Sequence, residues 1–377
     1  MSSLYIHIPF CERKCFYCDF YSIEDHGALS GFLDSLHSEI ELNSNYGKVE
    51  HVETIYIGGG TPSHLSPKQI AEILGHVGKY FSIISNPEIT MEVNPGTIDY
   101  EKMRGYKLAG INRLSIGVQS FNDEELKFLT RIHSSEDADQ AIRIARECGF
   151  DNISIDLIYA LPDQTLSQWE DALRKTILHK PEHVSAYSLI VEDNTPLASK
   201  VSTNEIVPLS IDKDAEMYEL TMEIMEQAGY NHYEVSNYAK PGFQSRHNSN
   251  YWNHSNYIGL GPSAHSFWSG RRWWNIRTIN SYIEKLSAKV LPVEGEEDLT
   301  MKQLLDETIM LELRTGFLDI SNIKKQFNVD INPPVQLFLK HLSDNGLARI
   351  ENDFLHMTNK GFLVCDEISE KILGFIS

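Results

Sequence analysis

The chain has 377 residues, 41% of them of hydrophobic type, and a formal net charge of −20. That length suits one large α/β unit with an appendage or two to three domains. The acidic balance repels phosphate backbones and anionic lipid, which argues against a nucleic-acid or membrane-surface protein.

The opening "MSSLYIHIPF" has no basic n-region, long apolar run or small-residue cleavage site, and no later run approaches membrane-spanning length. A cytoplasmic protein is expected. The first predicted strand is "LYIHI" (4–8), and "CERKCFYC" (11–18) follows it. Further strands are predicted at 53–59, 88–93, 112–118, 152–158 and 183–190. Helical stretches lie between them. "LSPKQIAEIL" has Ser66 as N-cap and Pro67 in the first helical position, and "NDEEL" (122–126) and "SQWE" (167–170) fit the capping box. Strand and helix alternating at this spacing predict βαβ units and a parallel sheet. Six repeats make an incomplete (β/α)6 barrel, with a doubly wound open sheet as the competitor. In both, ligands collect at the carboxyl ends of the strands. Those ends carry the cysteines, "GGGTP" (58–62), Glu92 with "NPG", "GVQSF" (117–121), and Asp156 with "YALP".

Past residue 195 the pattern changes. A helix over 212–230 stops at Gly229. The segment 233–268 is rich in aromatics, Asn, Ser and His and lacks helical periodicity. After 296 come three helices, a hairpin at 348–358 and a last helix, a winged-helix-like module. Its acidic residues outnumber its basic ones, so a structural or docking role is expected rather than DNA binding. The expected division is 1–195, 196–295 and 296–377.

Cys11, Cys15 and Cys18 are three of five cysteines. An odd, clustered set suits metal or redox chemistry better than disulfides. Cys148 and Cys365 are isolated in helical patterns and read as small buried side chains. C-x₃-C-x₂-C lets one loop hold three corners of a [4Fe–4S] cluster and leaves the fourth iron open. Structural zinc, completed by His7 or His26, and coincidence are the alternatives.

With "GGGTP" after the second strand, the pattern resembles the radical S-adenosylmethionine (SAM) superfamily. "YIHIPFCERKCFYCDF", "IYIGGGTPSHL", "MEVNPGT", "RLSIGVQSF", "LTRIHSSE" and "IDLIYALPDQT" are similar in order to the oxygen-independent coproporphyrinogen III oxidase (HemN) group. The resemblance implies a [4Fe–4S] cluster on Cys11, Cys15 and Cys18, with SAM on the fourth iron. It implies that Tyr5 lines the SAM site and that Gly59, Gly60 and Thr61 present backbone groups to the SAM amino end. Glu92, Gln119 and Asp156 would contact SAM's polar atoms, and Arg131 its carboxylate. A carboxylate suits hydroxyls or an ammonium, and Arg suits a carboxylate. Read without the resemblance, Glu92 and Asp156 are equally helix caps or sheet-edge charges, and Arg131 a surface residue.

Two departures from the oxidase stand out: Phe20 occupies the position of a further Cys, and the segment before the first strand is short. "HNSNYW" (247–252) and "YIGLGPSAHSF" (257–267) instead resemble the heme chaperone branch of the group. That resemblance implies haem as ligand, a haem-acceptor protein such as a respiratory haemoprotein, and room for a homodimer or a transient approach to a membrane through the acceptor. His247 is the candidate haem ligand, with His254 and His265 as alternatives; the competing reading is that His247 orders its loop by hydrogen bonding. The expected function is haem binding and transfer. A radical-SAM enzyme acting on a porphyrin or porphyrinogen is the alternative. RNA modification is a third reading that the acidic balance opposes.

Overall fold

The computed structural model describes residues 2–44, 51–329 and 333–376. Six strands run through the first half: β1 (Ser2–Ile8), β2 (Val52–Gly59), β3 (Ile83–Val93), β4 (Arg113–Gln119), β5 (Ile153–Tyr159) and β6 (His183–Ser188). Between them lie α1 (Leu29–Asn43), α2 (Pro67–Tyr80), α3 (Tyr100–Ala109), α4 (Asp123–Phe128), α5 (Ser135–Glu147) and α6 (Leu166–Leu178). All five neighbouring strand pairs are parallel and follow chain order.

Alternation along the strands sets two faces. Leu4, Ile6 and Ile8, Ile55 and Ile57, Leu114, Ile116 and Val118, and Ile153, Ile155 and Leu157 form one face. They are fully buried in a cluster with Phe32, Leu36 and Ile40 of α1 and Ile70, Ile73 and Val77 of α2. Each such side chain contributes ~1.5–3 kcal/mol of burial free energy. The intervening residues, such as Tyr56, Glu92, Arg113, Ser115 and Asp156, are polar and turn to the other face.

The incomplete (β/α)6 barrel is present and open. The sheet is extended at both edges by β7 (Asn231–Glu234), β8 (Asn237–Ala239), β9 (Tyr257–Leu260), β10 (His265–Trp268), β11 (Arg271–Asn275) and β12 (Val293–Asp298). β9 pairs parallel with β1 and leads into an antiparallel β10–β12, while β8 and β7 follow β6 antiparallel. β12 and β7 are edges, so the sheet does not close.

Some local expectations shift. Ser66 caps α2 in a full capping box with Gln69. The box expected at Ser167 starts two residues earlier, at Thr165 with Gln168. Asn122 caps α4 by accepting from the Glu124 amide, but Glu125 reaches Ser120 and Gln164 instead of closing a box. The segment 233–268, expected to be irregular, contains a helix over Arg246–Trp252 and four short strands.

The C-terminal region has helices Met301–Arg314, Ile320–Phe327, Pro333–Asp344 and Cys365–Ile376. The expected hairpin is β14 (Ala348–Glu351) with β15 (Phe354–Met357), and β13 (Phe317–Asp319) adds a third strand against β15. Its core, including Leu305, Ile309, Leu313, Leu339 and Leu355, is separate from that of the barrel. Among the described residues no helix is long and apolar enough to cross a membrane.

Candidate functional site

The carboxyl ends of the parallel strands surround a cavity of about 670 Å³, within the range of small-molecule sites. The cysteine loop covers one side of it. Hydrogen bonds from the Cys11 amide to Ile23 O (3.0 Å) and from the Cys18 amide to Cys15 O (3.1 Å) hold the loop. The Phe16 amide donates to Thr130 Oγ1 (3.2 Å). Cys18 lines the cavity. Cys11 Sγ accepts from Thr61 Oγ1 (3.5 Å) and Cys15 Sγ from Arg131 Nη1 (3.6 Å).

The "GGGTP" turn is shaped by this contact. The Gly60 amide bonds Ile8 O (2.8 Å) and the Thr61 amide bonds Phe10 O (2.7 Å). A Cβ on Gly60 would sit 2.7 Å from Phe10 O and 3.0 Å from Cys11 Sγ. The Gly59 amide donates to Glu92 Oε2 (3.0 Å). All three amides are engaged, so the turn can offer an ammonium only its carbonyl oxygens. The strand ends are bent to aim groups inward: φ is +111° at Gly59, +64° at Gln119 and +58° at Ala160. Positive φ at non-glycine residues is the kind of local strain found at functional sites.

Two carboxyls face the cavity. Burial pushes Glu92 up to about 7, with Asp156 adding to the rise while its hydrogen bonds from Tyr56 and the Gly59 amide oppose it. Burial also raises Asp156, against hydrogen bonds from Ser115 (2.7 Å) and Ser154 (2.9 Å). A cationic or hydroxylated ligand would favour the charged form of each.

The expected residues are thereby placed. Gly59, Gly60, Thr61, Glu92, Gln119, Arg131 and Asp156 line this one cavity. Tyr5 does not. Its ring stacks on Tyr56 at 6.2 Å, and its hydroxyl meets His7 Nδ1 at 3.0 Å, behind the wall.

The thiols fit a metal cluster in their chemistry. Burial pushes Cys18 up to about 11, and the neighbouring Cys15 and Cys11 add to the rise. Iron would relieve that crowding of thiolates. The zinc alternative would need His7, whose two ring nitrogens are held by Tyr21 O (2.8 Å) and the Tyr5 hydroxyl (3.0 Å), or His26, whose Nε2 is held by Cys11 O (3.2 Å). Among the described residues no three His, Cys, Asp or Glu side chains are arranged to hold a single ion.

Comparison with known proteins agrees in order and extent. Residues 5–176 match the Radical SAM superfamily, and residues 299–364 match the HemN C-terminal domain. "Heme chaperone HemW" of Bacillus subtilis is 35% identical over 99% of this chain and 100% of its own length. The chain belongs to the heme chaperone HemW family. The Escherichia coli HemW is 42% identical over 70% of this chain and 69% of its own. The structure of coproporphyrinogen III oxidase (HemN) from Escherichia coli superposes with a TM-score of 0.85, at 24% identity, over 99% of this chain and 90% of that one. That likeness shows the fold: an α/β radical-SAM architecture with an unclosed sheet. Membership of the superfamily implies a [4Fe–4S] cluster and SAM.

The HNxxYW segment of this HemW relative lies on the side of the cavity away from the cysteine loop. The helix Arg246–Trp252 is capped by Ser245. The Glu88 carboxylate accepts from the Arg246 (3.1 Å) and His247 (2.9 Å) amides. Asn250 Nδ2 donates to Ser3 Oγ (2.7 Å). His247 is 1% exposed, with Nδ1 2.8 Å from Thr54 Oγ1 and Nε2 2.8 Å from the Tyr251 hydroxyl. Both ring nitrogens are thus engaged. The geometry favours the loop-ordering role over haem ligation, because a ligand needs a free, accessible nitrogen. His254 is bonded to Glu307 at 2.9 Å, while His265 is exposed beside Trp274.

Sequence reasoning missed Arg113 and Ser115, both on the cavity wall, and it read Asn248 as orienting the His247 ring, whereas Thr54 and Tyr251 hold that ring and Asn248 lines the cavity. The signal for Arg113 and Ser115 was present: Arg113, Ser115, Gly117 and Gln119 alternate along β4 with Leu114, Ile116 and Val118.

Proposed function

We propose that this chain is a haem chaperone: it binds haem and passes it to an acceptor protein. It would hold a [4Fe–4S] cluster through Cys11, Cys15 and Cys18 and SAM in the cavity through Gly59, Gly60, Thr61, Glu92, Gln119, Arg131 and Asp156. The observation that carries the reading is the end-to-end similarity to proteins named Heme chaperone HemW. Held by Cys11, Cys15 and Cys18, the cluster would supply an open iron position for SAM's amino-acid end. The residues around it do the rest. Thr61 and Arg131 point at two of the thiols, Glu92 and Asp156 offer carboxylates to an ammonium or to ribose hydroxyls, and Arg131 offers a guanidinium to a carboxylate.

Apolar side chains at the cavity suit a flat, apolar macrocycle: Phe20 is 64% and Ile190 65% exposed, and both line it. Exposed apolar groups rimming a polar cleft mark interaction sites. Phe20 also replaces the cysteine that the oxidase resemblance would require, which favours binding over porphyrinogen oxidation. A cytoplasmic location fits these parts.

The test is a haem titration of the purified protein, followed by mixing with an apo-haemoprotein. A Soret band that grows on titration and then moves to the acceptor is expected. Robust conversion of coproporphyrinogen III by anaerobically reconstituted protein would replace the chaperone reading with the enzymatic one.

A further inference from the structure

Arg113 opens β4 with 1% of its surface exposed. It shares the inward face of that strand with Ser115, Gly117 and Gln119, and all four line the cavity. Its guanidinium has no ion pair and no hydrogen bond among the described residues, and Nε is enclosed without an acceptor. Asp156 feels its charge, yet the Asp156 oxygens accept from Ser115 and Ser154 instead. The other groups that feel it are Tyr56, His183, Tyr233 and His247. None of them is an anion here: burial holds both histidines neutral and raises both phenols. Arg131 differs in having partners, Gly117 O (2.9 Å) and Cys15 Sγ (3.6 Å), although its Nε too lacks an acceptor and stays available to a ligand. Asn248 lines the same cavity, and its side-chain amide makes no hydrogen bond among the described residues.

An enclosed cation without a partner is costly. A planar guanidinium aimed into a cavity is matched by a carboxylate, which takes two parallel hydrogen bonds from it. The geometry points to Arg113, with Asn248, as a carboxylate-anchoring subsite for the cavity's ligand, separate from Arg131. The inference rests on the reading that the chain binds haem and SAM. Those two ligands supply the same chemistry, one through its propionates and the other through its amino-acid carboxylate.

The experiment compares two ligand pairs: haem with its dimethyl ester, by Soret titration of cluster-free protein, and SAM with decarboxylated SAM, by equilibrium dialysis of anaerobically reconstituted protein. In the wild type, one carboxylate-bearing ligand should bind about tenfold or more tighter than its partner. That gap should close in Arg113→Gln. The pair in which it closes identifies the source. Arg113→Lys, which keeps the charge but cannot make two parallel hydrogen bonds to a carboxylate, should narrow the same gap, and it serves if Arg113→Gln does not fold. Equal binding within both pairs in the wild type, or gaps that survive both substitutions, would overturn the subsite. Failure of the wild type to bind haem or SAM at all would instead overturn the functional reading beneath it.

Discussion

His247→Ala separates a structural histidine from a haem ligand. The His247 imidazole bridges Thr54 Oγ1 and the Tyr251 hydroxyl, each at 2.8 Å, inside a site 1% exposed. Truncation strands two enclosed hydroxyls, at ~1–3 kcal/mol each if no water replaces the ring, and opens a small cavity besides. The sum is about 4 kcal/mol. With an unfolding entropy of ~2.1 cal/mol/K per residue, that lowers Tm by about 5 °C for a chain of this length. His247→Gln, which keeps a donor and an acceptor, should recover part of the loss. The assay is thermal unfolding of the cluster-free protein followed by circular dichroism, paired with a haem titration of each folded variant at low temperature. The expected result is a lowered Tm with an unchanged Soret maximum. An unaltered Tm together with a lost or displaced Soret band would refute the structural role and restore His247 as an axial ligand.

Three further outcomes follow from the geometry. Anaerobic reconstitution should yield about four irons and four sulfides per chain; Cys11→Ser, Cys15→Ser or Cys18→Ser should each abolish the brown absorbance, and Cys148→Ser should leave it, as iron and sulfide analysis would show. Burial holds His232 down to about 4 and His247 down to about 3, so both stay neutral in the fold while the unfolded chain takes up protons near pH 6.5. The stability they contribute is present above that pH and lost below it, about 1.4 kcal/mol per histidine between pH 7.5 and 5.5; urea unfolding at the two pH values, with His247→Gln showing a smaller difference, is the check. Glu39 is fully buried and accepts from the Gly261 amide (2.7 Å), Asn275 Nδ2 (2.6 Å) and the Tyr282 hydroxyl (2.5 Å); Glu39→Gln sets an amide donor against donors and should cost ~1–3 kcal/mol in the same urea assay.

The legible and illegible parts of the fold differ in how far apart their determinants lie. The six parallel strands could be read because Leu4, Ile6 and Ile8 and their counterparts alternate locally with polar residues. The start of α2 could be read because Ser66, a good cap, stands directly before Pro67, a residue suited to the first helical position. The cysteine loop and "GGGTP" could be read because each is a compact chemical pattern, and the register Ile8↔Gly59 brings them together. The helix Arg246–Trp252 could not. Seven residues are too few for a 3.6-residue periodicity, and its order comes from Glu88, Thr54 and Ser3, partners 159, 193 and 247 positions from His247 and Asn250.

Tyr5 shows the complementary failure. Alternation puts it on the polar face, opposite Leu4 and Ile6, and that much is local. Whether a polar-face residue reaches the cavity depends on what overlies it. Tyr56 stacks against Tyr5, and His247 lies 5.1 Å from Tyr56, so the HNxxYW helix roofs β1 and β2 while β4 and β5 are left open to the cavity. The same helix therefore decides two things at once. It hides Tyr5, and it supplies no anion to Arg113, whose guanidinium stays enclosed at the cavity wall without a partner: the His247 imidazole that feels its charge is neutral. A segment whose resemblance offered His247 as a ligand acts as a wall, and the charge it leaves unanswered is what gives the cavity a preference for an anionic group.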